Sequence, residues 1–316
     1  MDKNSAYLRE LTQYRERVIG QALLALHDDI GSGDITTLAL SSGRGRVEEA
    51  TIVAREEGIL CGVFEAESIL EAGGLTTQWN KNEGDSFRPG ESLAAVRGNV
   101  GELLSRERIA LNYLQILSGI ATLCQSFSKR FPGKVASLRK THPGIAFSEK
   151  RAVLVGGVLT HRLCLDDGFL IKDNHLALVA RSLFGEAKIT EEQKLQAIEE
   201  SLRLAKKYRF EHLLEKAFIE VEVESIAQGV TVANVFKAEK VPDMVLLDNM
   251  KPNMVRKCVK AIHRVAGPSL LIEASGGITP SNLELYLDTG VDVASMSFLT
   301  LDARPLDIGM KIVGYK

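Results

Sequence analysis

No run in this chain approaches the roughly 20 consecutive apolar residues that a membrane-spanning helix requires. Its start lacks the positive-then-apolar pattern of a secretory leader, which predicts a cytoplasmic protein. Cysteine is scarce: Cys61, Cys124, Cys164 and Cys258 lie far apart, with no CxxC pair. That spacing speaks against a zinc site and predicts reduced, mostly buried thiols. Neither sign of charge is in excess, the net charge being -2, so no general attraction to nucleic acid or to an anionic membrane is expected. Internal repeats and low-complexity segments are absent. The remainder is an ordinary globular composition, 45% hydrophobic and 25% charged, in 316 residues, a length comfortable for two domains.

Against that near-neutral background, positive charge is concentrated in a few places. Arg139-Lys140-Thr141-His142-Pro143-Gly144 and Gly156-Gly157-Val158-Leu159-Thr160-His161-Arg162 carry one group, and Lys172-Asp173-Asn174-His175 follows close behind. The first and last come after short apolar runs that read as strands. A fold that joins their ends gathers two arginines, two lysines and up to three histidines in one cleft, which demands an anion with several carboxylates or phosphates. For a lone Arg-Lys pair, solvated surface charge is the ordinary explanation. Here the charges sit beside Gly-Gly and Pro-Gly at strand ends, where loops carry function.

Apolar positions Leu8, Leu11, Val18, Ala22 and Leu26 predict an amphipathic helix over residues 5–27, broken by the turn formers from Asp28 to Thr37. Residues 47–62 alternate like strands turning at Glu57-Gly58, and Val63–Ala72 reads as a helix ended by Gly73-Gly74. Gly84–Gly90 reads as a loop before a strand near Ser92–Arg97. Glu102–Lys129 is predicted helical with a break near Gly119. Beyond it, continuous apolar runs (Val135–Arg139, Phe169–Ile171, Ala217–Val223, Met244–Leu247, Leu270–Ala274, Val291–Met296) alternate with helical segments at Thr190–Tyr208, Ile226–Lys237, Lys251–Val265 and Pro280–Thr289. Such runs are those of parallel strands covered by helices, in an α/β barrel or a doubly wound sheet. Lys140, Lys172, Glu222, Asp248 and Ser275 fall at or just after strand ends, which favours a barrel with its site at the carboxyl rim.

Glu220, Glu222 and Glu224 alternate with valines, so all three share one strand face. In a sandwich that face is simply half-solvated; inside a barrel it is costly unless cations or metal meet it. Asp248 ends a buried run, either as a helix N-cap or as a carboxylate facing the cations. Ser275-Gly276-Gly277 is a turn between a strand and a helix expected from Pro280, where backbone N–H groups can cradle phosphate.

In order along the chain, Asp29-Ile30-Gly31-Ser32-Gly33-Asp34-Ile35-Thr36-Thr37, Arg106–Asn112 through Ser118–Thr122, Arg139-Lys140-Thr141, Gly156-Gly157 with His161-Arg162, Leu170–His175, Glu220-Val221-Glu222-Val223, Leu247–Met250 and Glu273–Ile278 resemble the quinolinate phosphoribosyltransferases. The resemblance covers nearly the whole chain. It implies an α/β protein: an N-terminal α+β domain over 1–114 and an open α/β barrel over 115–299, with the tail 300–316 packing on the first. It implies conversion of quinolinate and phosphoribosyl pyrophosphate to nicotinate mononucleotide, carbon dioxide and pyrophosphate, in NAD biosynthesis, with Mg²⁺. It places quinolinate on Arg139, His161 and Arg162, with Arg108 supplied across a homodimer interface, or within a higher oligomer built from dimers. Lys140 and Lys172 then line the site, Glu222 and Asp248 lie near ribose and metal, Ser275, Gly276 and Gly277 form the 5-phosphate loop, and Ser297 is a substrate-binding position where a family glycine is replaced and a phosphate could be crowded. No nucleic acid or membrane partner is implied. The chain departs from the family pattern at Leu138, Val158, Thr160, Ser297 and Asp302. A related transferase for another aromatic acid, or a phosphometabolite-binding protein without turnover, are the alternatives. Retention of Arg108, Arg139, His161 and Arg162 argues against a monoacid substrate.

Overall fold

The computed structural model describes residues 14–40, 46–185 and 188–313, and the chain divides into two compact units. One takes the described residues of Met1–Pro132, Lys140–Thr160 and Ser297–Lys316. It is an α+β unit, built on an antiparallel sheet in the order Ile308–Ile312, Val47–Ala54, Ser92–Asn99, Thr76–Trp79. Period-2 alternation buries Ala50, Ile52 and Ala54 on one face of the second strand, and helices cover that core. The first helix among the described residues runs Arg15–Ile30; the start of the expected 5–27 helix lies outside them. It passes through Asp28-Asp29 before Gly31 ends it. Asp34 then accepts the N–H groups of Thr36 and Thr37, at 3.1 and 3.0 Å, and starts the short helix Ile35–Leu40.

The expected break at Gly119 does not occur. Val100–Arg130 is one helix of 31 residues, capped by the Asn99 side chain on Gly101 N–H at 2.8 Å. A single interior glycine costs about 1 kcal/mol relative to alanine, less than the burial of Leu114, Leu117, Ile120 and Ala121 around it returns. The glycine has another cause: a Cβ there would overlap the Arg304 carbonyl. Gly119→Ala is therefore a test of sign. Helix propensity alone predicts a gain, whereas the close approach predicts a loss of about 1–3 kcal/mol by overpacking. Denaturant unfolding is expected to show the loss, and a stabilised variant would reject the contact.

The second unit takes Gly133–Arg139 and His161–Met296. Six parallel strands pair in the order Val135–Ser137, Val293–Met296, Leu271–Ser275, Met244–Asp248, Phe218–Val223, Gly168–Ile171. The first strand in the chain lies beside the last, so the sheet curls into an open α/β barrel with an edge at Gly168–Ile171. Helices Asp173–Phe184, Glu191–Glu211, Ile226–Glu239 and Pro252–Ala266 connect successive strands. The strands are buried on both faces, which is why their runs read as continuous: in Phe218–Val223, Ile219, Val221 and Val223 are buried and so is Glu220. Glu224, one step past the strand, is exposed and lines the same cavity as Glu222, so the row runs from a buried carboxylate out to an open one. The helix expected over Pro280–Thr289 shrinks to Leu283–Leu287, because Asn282 folds back: its side chain accepts the Thr279 N–H at 2.8 Å and donates to the Gly277 carbonyl at 3.0 Å. Among the described residues no helix is long and apolar enough to cross a membrane.

Candidate active site

Because the six strands are parallel, every residue that follows a strand emerges at the same rim. Arg139 follows Val135–Ser137, Lys172 follows Gly168–Ile171, Asp248 ends Met244–Asp248, and Ser275 ends Leu271–Ser275. Lys172 and Glu222 meet: Nζ lies 2.5 Å from Oε1. They line a cavity of about 420 Å³ with Asp248, Asn249, Lys194 and Gln228. Burial raises the Glu222 pKa, Lys172 pulls it back, and the charges of Asp248 and Asp173 push it up again.

Two loops of this rim interlock. Asn249 adopts φ +53° and donates its N–H to the Ser275 carbonyl at 3.0 Å, while its side chain donates to Asp248 Oδ2 at 2.7 Å. A Cβ on Gly276, at φ +87°, would strike Asn249, so only glycine lets these backbones approach; Gly277 follows at φ +64°. Asp248 is therefore not a helix cap; the following helix starts after Lys251. The Ser275 hydroxyl is buried, 3.0 Å from Ser295 Oγ, and Ser295 donates to Glu273. What this turn offers a phosphate is backbone.

The arginines form the second half of the rim. Arg162 is only 6% exposed, donates to the Gly168 carbonyl at 3.1 Å, and has its pKa lowered first by burial and then by the charge of Arg139. Glu220, Glu222 and Asp167 oppose that effect. His161 is also buried, edge-on to Phe218, with Nε2 2.5 Å from Glu220 Oε2. Burial pushes the fully covered Glu220 carboxyl up to about 8, Glu222 adds to the rise, and Arg162 and Lys172 offset part of it. Sequence reasoning placed Glu220 on the right face but missed that it holds His161.

Two groups here could hold a cation. Glu222 and Asp248 present hard carboxylate oxygens to the open cavity, with room for the waters that Mg²⁺ keeps. His161, Glu220 and Glu273 bring ligand atoms within 4.8 Å of one another, but all are buried, and the mixed nitrogen and oxygen set suits Mg²⁺ less well.

The remaining expected site residues belong to the α+β unit. Arg108 is exposed on the helix Val100–Arg130. Lys140 is exposed, and its carbonyl accepts from Thr300 Oγ1 at 2.7 Å. Ser297 is half-buried at the start of the short helix Phe298–Leu301. Of the departures from the family pattern, Val158 is a core residue, 2% exposed, and Asp302 is exposed.

Comparison with known proteins gives one answer along the chain. A family model described as the quinolinate phosphoribosyl transferase C-terminal domain matches residues 120–311, and the corresponding N-terminal domain matches 34–118. A probable carboxylating nicotinate-nucleotide pyrophosphorylase of Methanothermobacter thermautotrophicus is 38% identical over 294 residues, covering 91% of this chain and 96% of that one. A carboxylating nicotinate-nucleotide pyrophosphorylase of Mycobacterium leprae is 33% identical over 296 residues, covering 91% and 94%. Among solved structures, the nicotinate-nucleotide pyrophosphorylase of Francisella tularensis superposes with a TM-score of 0.76 at 26% identity, covering 94% of this chain and 96% of that one.

Proposed function

The chain belongs to the quinolinate phosphoribosyltransferase family, and from that premise we propose that the barrel rim is where it joins quinolinate to phosphoribosyl pyrophosphate. It is an enzyme of NAD biosynthesis, making nicotinate mononucleotide, carbon dioxide and pyrophosphate. The observation that carries the site reading is the crowding of Arg139 and Arg162. Arg162 is nearly buried, and its pKa is lowered first by burial and then by the charge of Arg139, so the two guanidiniums stand close enough to face one dianion together. The two carboxylates of quinolinate meet the pair, with His161 held beside them by Glu220.

The ring nitrogen attacks the anomeric carbon as its bond to pyrophosphate breaks, and positive charge develops on the ribose. Glu222, half-buried and negative, stabilises that charge, and its pairing with Lys172 fixes where it points. Lys172 and Lys140 offset the charge of the substrates. The Gly276-Gly277 turn and Ser275 take the 5-phosphate through backbone N–H groups. Mg²⁺, held by Glu222 and Asp248, would neutralise the departing pyrophosphate. After ribosylation the carbon–carboxylate bond breaks and its electron pair is received beside the pyridinium nitrogen, where a proton replaces it; this step asks chiefly for exclusion of water. Arg108 is contributed by a second copy of the chain in a homodimer or an oligomer of dimers, and the protein works in the cytoplasm.

The test is a turnover assay with phosphoribosyl pyrophosphate and Mg²⁺, comparing quinolinate with nicotinate. Nicotinate mononucleotide and carbon dioxide are expected from quinolinate alone. Equal product from nicotinate would reject the paired-cation reading of the diacid site.

A further inference from the structure

Gln228 lies in the first turn of the helix Ile226–Glu239 and is 8% exposed. Its backbone N–H goes to the Ser225 hydroxyl at 3.2 Å, which caps the helix. Its side-chain Oε1 accepts the Glu224 N–H at 2.8 Å. That bond identifies the oxygen of the amide, and because the group is planar it also fixes where the NH2 points. Nε2 has no hydrogen-bond partner among the described residues, yet it is not enclosed by protein. Gln228 lines the cavity of Lys172, Glu222 and Asp248, so the unused arm of the amide is the one left to that space.

Holding one backbone N–H at a helix start is an ordinary structural task, and glutamate performs it as well as glutamine. What glutamine adds is a neutral donor, and the wall around it is short of them. Glu222, Glu224 and Asp248, when ionised, only accept. The Lys172 ammonium is drawn to Glu222 and that of Lys194 to Glu191, each at 2.5 Å, and the Asn249 amide donates to Asp248. A phosphate oxygen is repelled by such a wall unless a metal ion stands between, and a metal ion takes oxygens, not an N–H. A hydroxyl suits the place: it donates its O–H to a carboxylate and accepts an N–H on a lone pair.

We propose that Gln228 is a substrate-binding residue whose amide NH2 donates to a ribose hydroxyl of phosphoribosyl pyrophosphate, while a neighbouring carboxylate accepts that hydroxyl's O–H. The inference rests on the reading given above of Glu222 and Asp248 as residues on the ribose side of the site. A merely structural role for Gln228 would be filled by any side chain that holds the Glu224 N–H.

The experiment is steady-state kinetics on the full chain with Mg²⁺, varying each substrate in turn, with inorganic pyrophosphate as product inhibitor and melting temperature as the folding control. Gln228→Met removes both arms of the amide; Gln228→Glu keeps the hold on Glu224 and loses the donor. Both are expected to raise the KM for phosphoribosyl pyrophosphate by about five- to tenfold, the loss of one neutral hydrogen bond, with kcat and the KM for quinolinate little changed. In Gln228→Met the inhibition constant of pyrophosphate is expected to stay at the parent value. A parent KM in Gln228→Glu would leave Gln228 only its structural role. An equal weakening of pyrophosphate would move the contact to a phosphate, and an equal weakening of quinolinate would make it a general disturbance of the site; each of these overturns the proposal. Asp248→Asn separates the inference from its premise. If it raises the KM for phosphoribosyl pyrophosphate and the Gln228 variants do not, the assignment of Gln228 alone fails. If it does not, the reading of the cavity fails and the assignment with it. Should Gln228→Met not fold, Gln228→Glu decides alone.

Discussion

Glu222→Gln is expected to lower kcat by about 10²- to 10³-fold, the usual cost of deleting one fixed charge that stabilises a transition state, with little change in the KM for quinolinate. The asymmetry follows from the pair it belongs to. Glu222 sits 2.5 Å from Lys172, on the cavity it shares with Asp248. Glutamine keeps the volume and one acceptor, so Lys172 stays nearly where it was. The ammonium loses its counter-charge and becomes, if anything, more available to a carboxylate. Ground-state binding therefore survives, while the negative charge facing the developing ribose cation is gone. An interaction made only in the transition state should appear in kcat and kcat/KM together. Glu222→Asp keeps the charge at shorter reach and should fall between the parent and Gln. Steady-state kinetics on nicotinate mononucleotide formation decides. Near-normal kcat for the glutamine variant removes Glu222 from the catalytic group, and an unchanged kcat with a raised KM would instead make it a binding residue.

What could be read in advance follows a physical pattern. Buried parallel strands announce themselves as continuous apolar runs, and parallelism alone brings Arg139, Lys172, Asp248 and Ser275 to one rim. Hence the runs and the charged strand ends favoured a barrel over a doubly wound sheet, while its being open came from the family resemblance. Gly119 was misread because a glycine's local cost is visible in sequence, whereas the carbonyl it makes room for, at Arg304, lies far along the chain. Glu149 and Thr300 carried no signal at all: one looks like a helix-surface glutamate and the other like a threonine in an apolar stretch. Only the folded chain shows that each is spent on a loop: buried Glu149 accepts from His142, and buried Thr300 donates to the Lys140 carbonyl. Glu220 was half legible, since alternation gave its face but not its partner His161, 59 residues away.

The same blindness to distance hid a buried ion network of the α+β unit, and a large stability effect is expected from breaking it. Arg151→Met should cost about 3–5 kcal/mol, the range for breaking a buried ion pair from one side. Arg151 is 7% exposed, lies over the Phe64 ring at 4.9 Å, and bonds Glu65 Oε2 at 2.5 Å and also Glu83. Glu65 is completely buried. Glu83 does more than balance charge: it also accepts the N–H groups of Gly62 and Val63 at 3.2 and 3.0 Å, and so anchors the start of the helix Val63–Glu71. Burial lowers the Arg151 pKa, but Glu65 and Glu83 more than reverse that, and the net shift is upward. The guanidinium therefore stays charged, and methionine in its place strands two carboxylates around an apolar side chain. The network is not ideal, since Arg151 Nε and Glu65 Oε1 have no hydrogen-bond partner among the described residues. An imperfect network is one that apolar packing can replace, so Arg151→Met with Glu65→Leu should recover at least half of the loss while Glu83 keeps its backbone donors. Denaturant unfolding of the two variants measures both numbers. A single-variant loss below about 1 kcal/mol would show that the ions are not confined as described; a double variant no better than the single would place the cost in packing rather than in the stranded charge of Glu65.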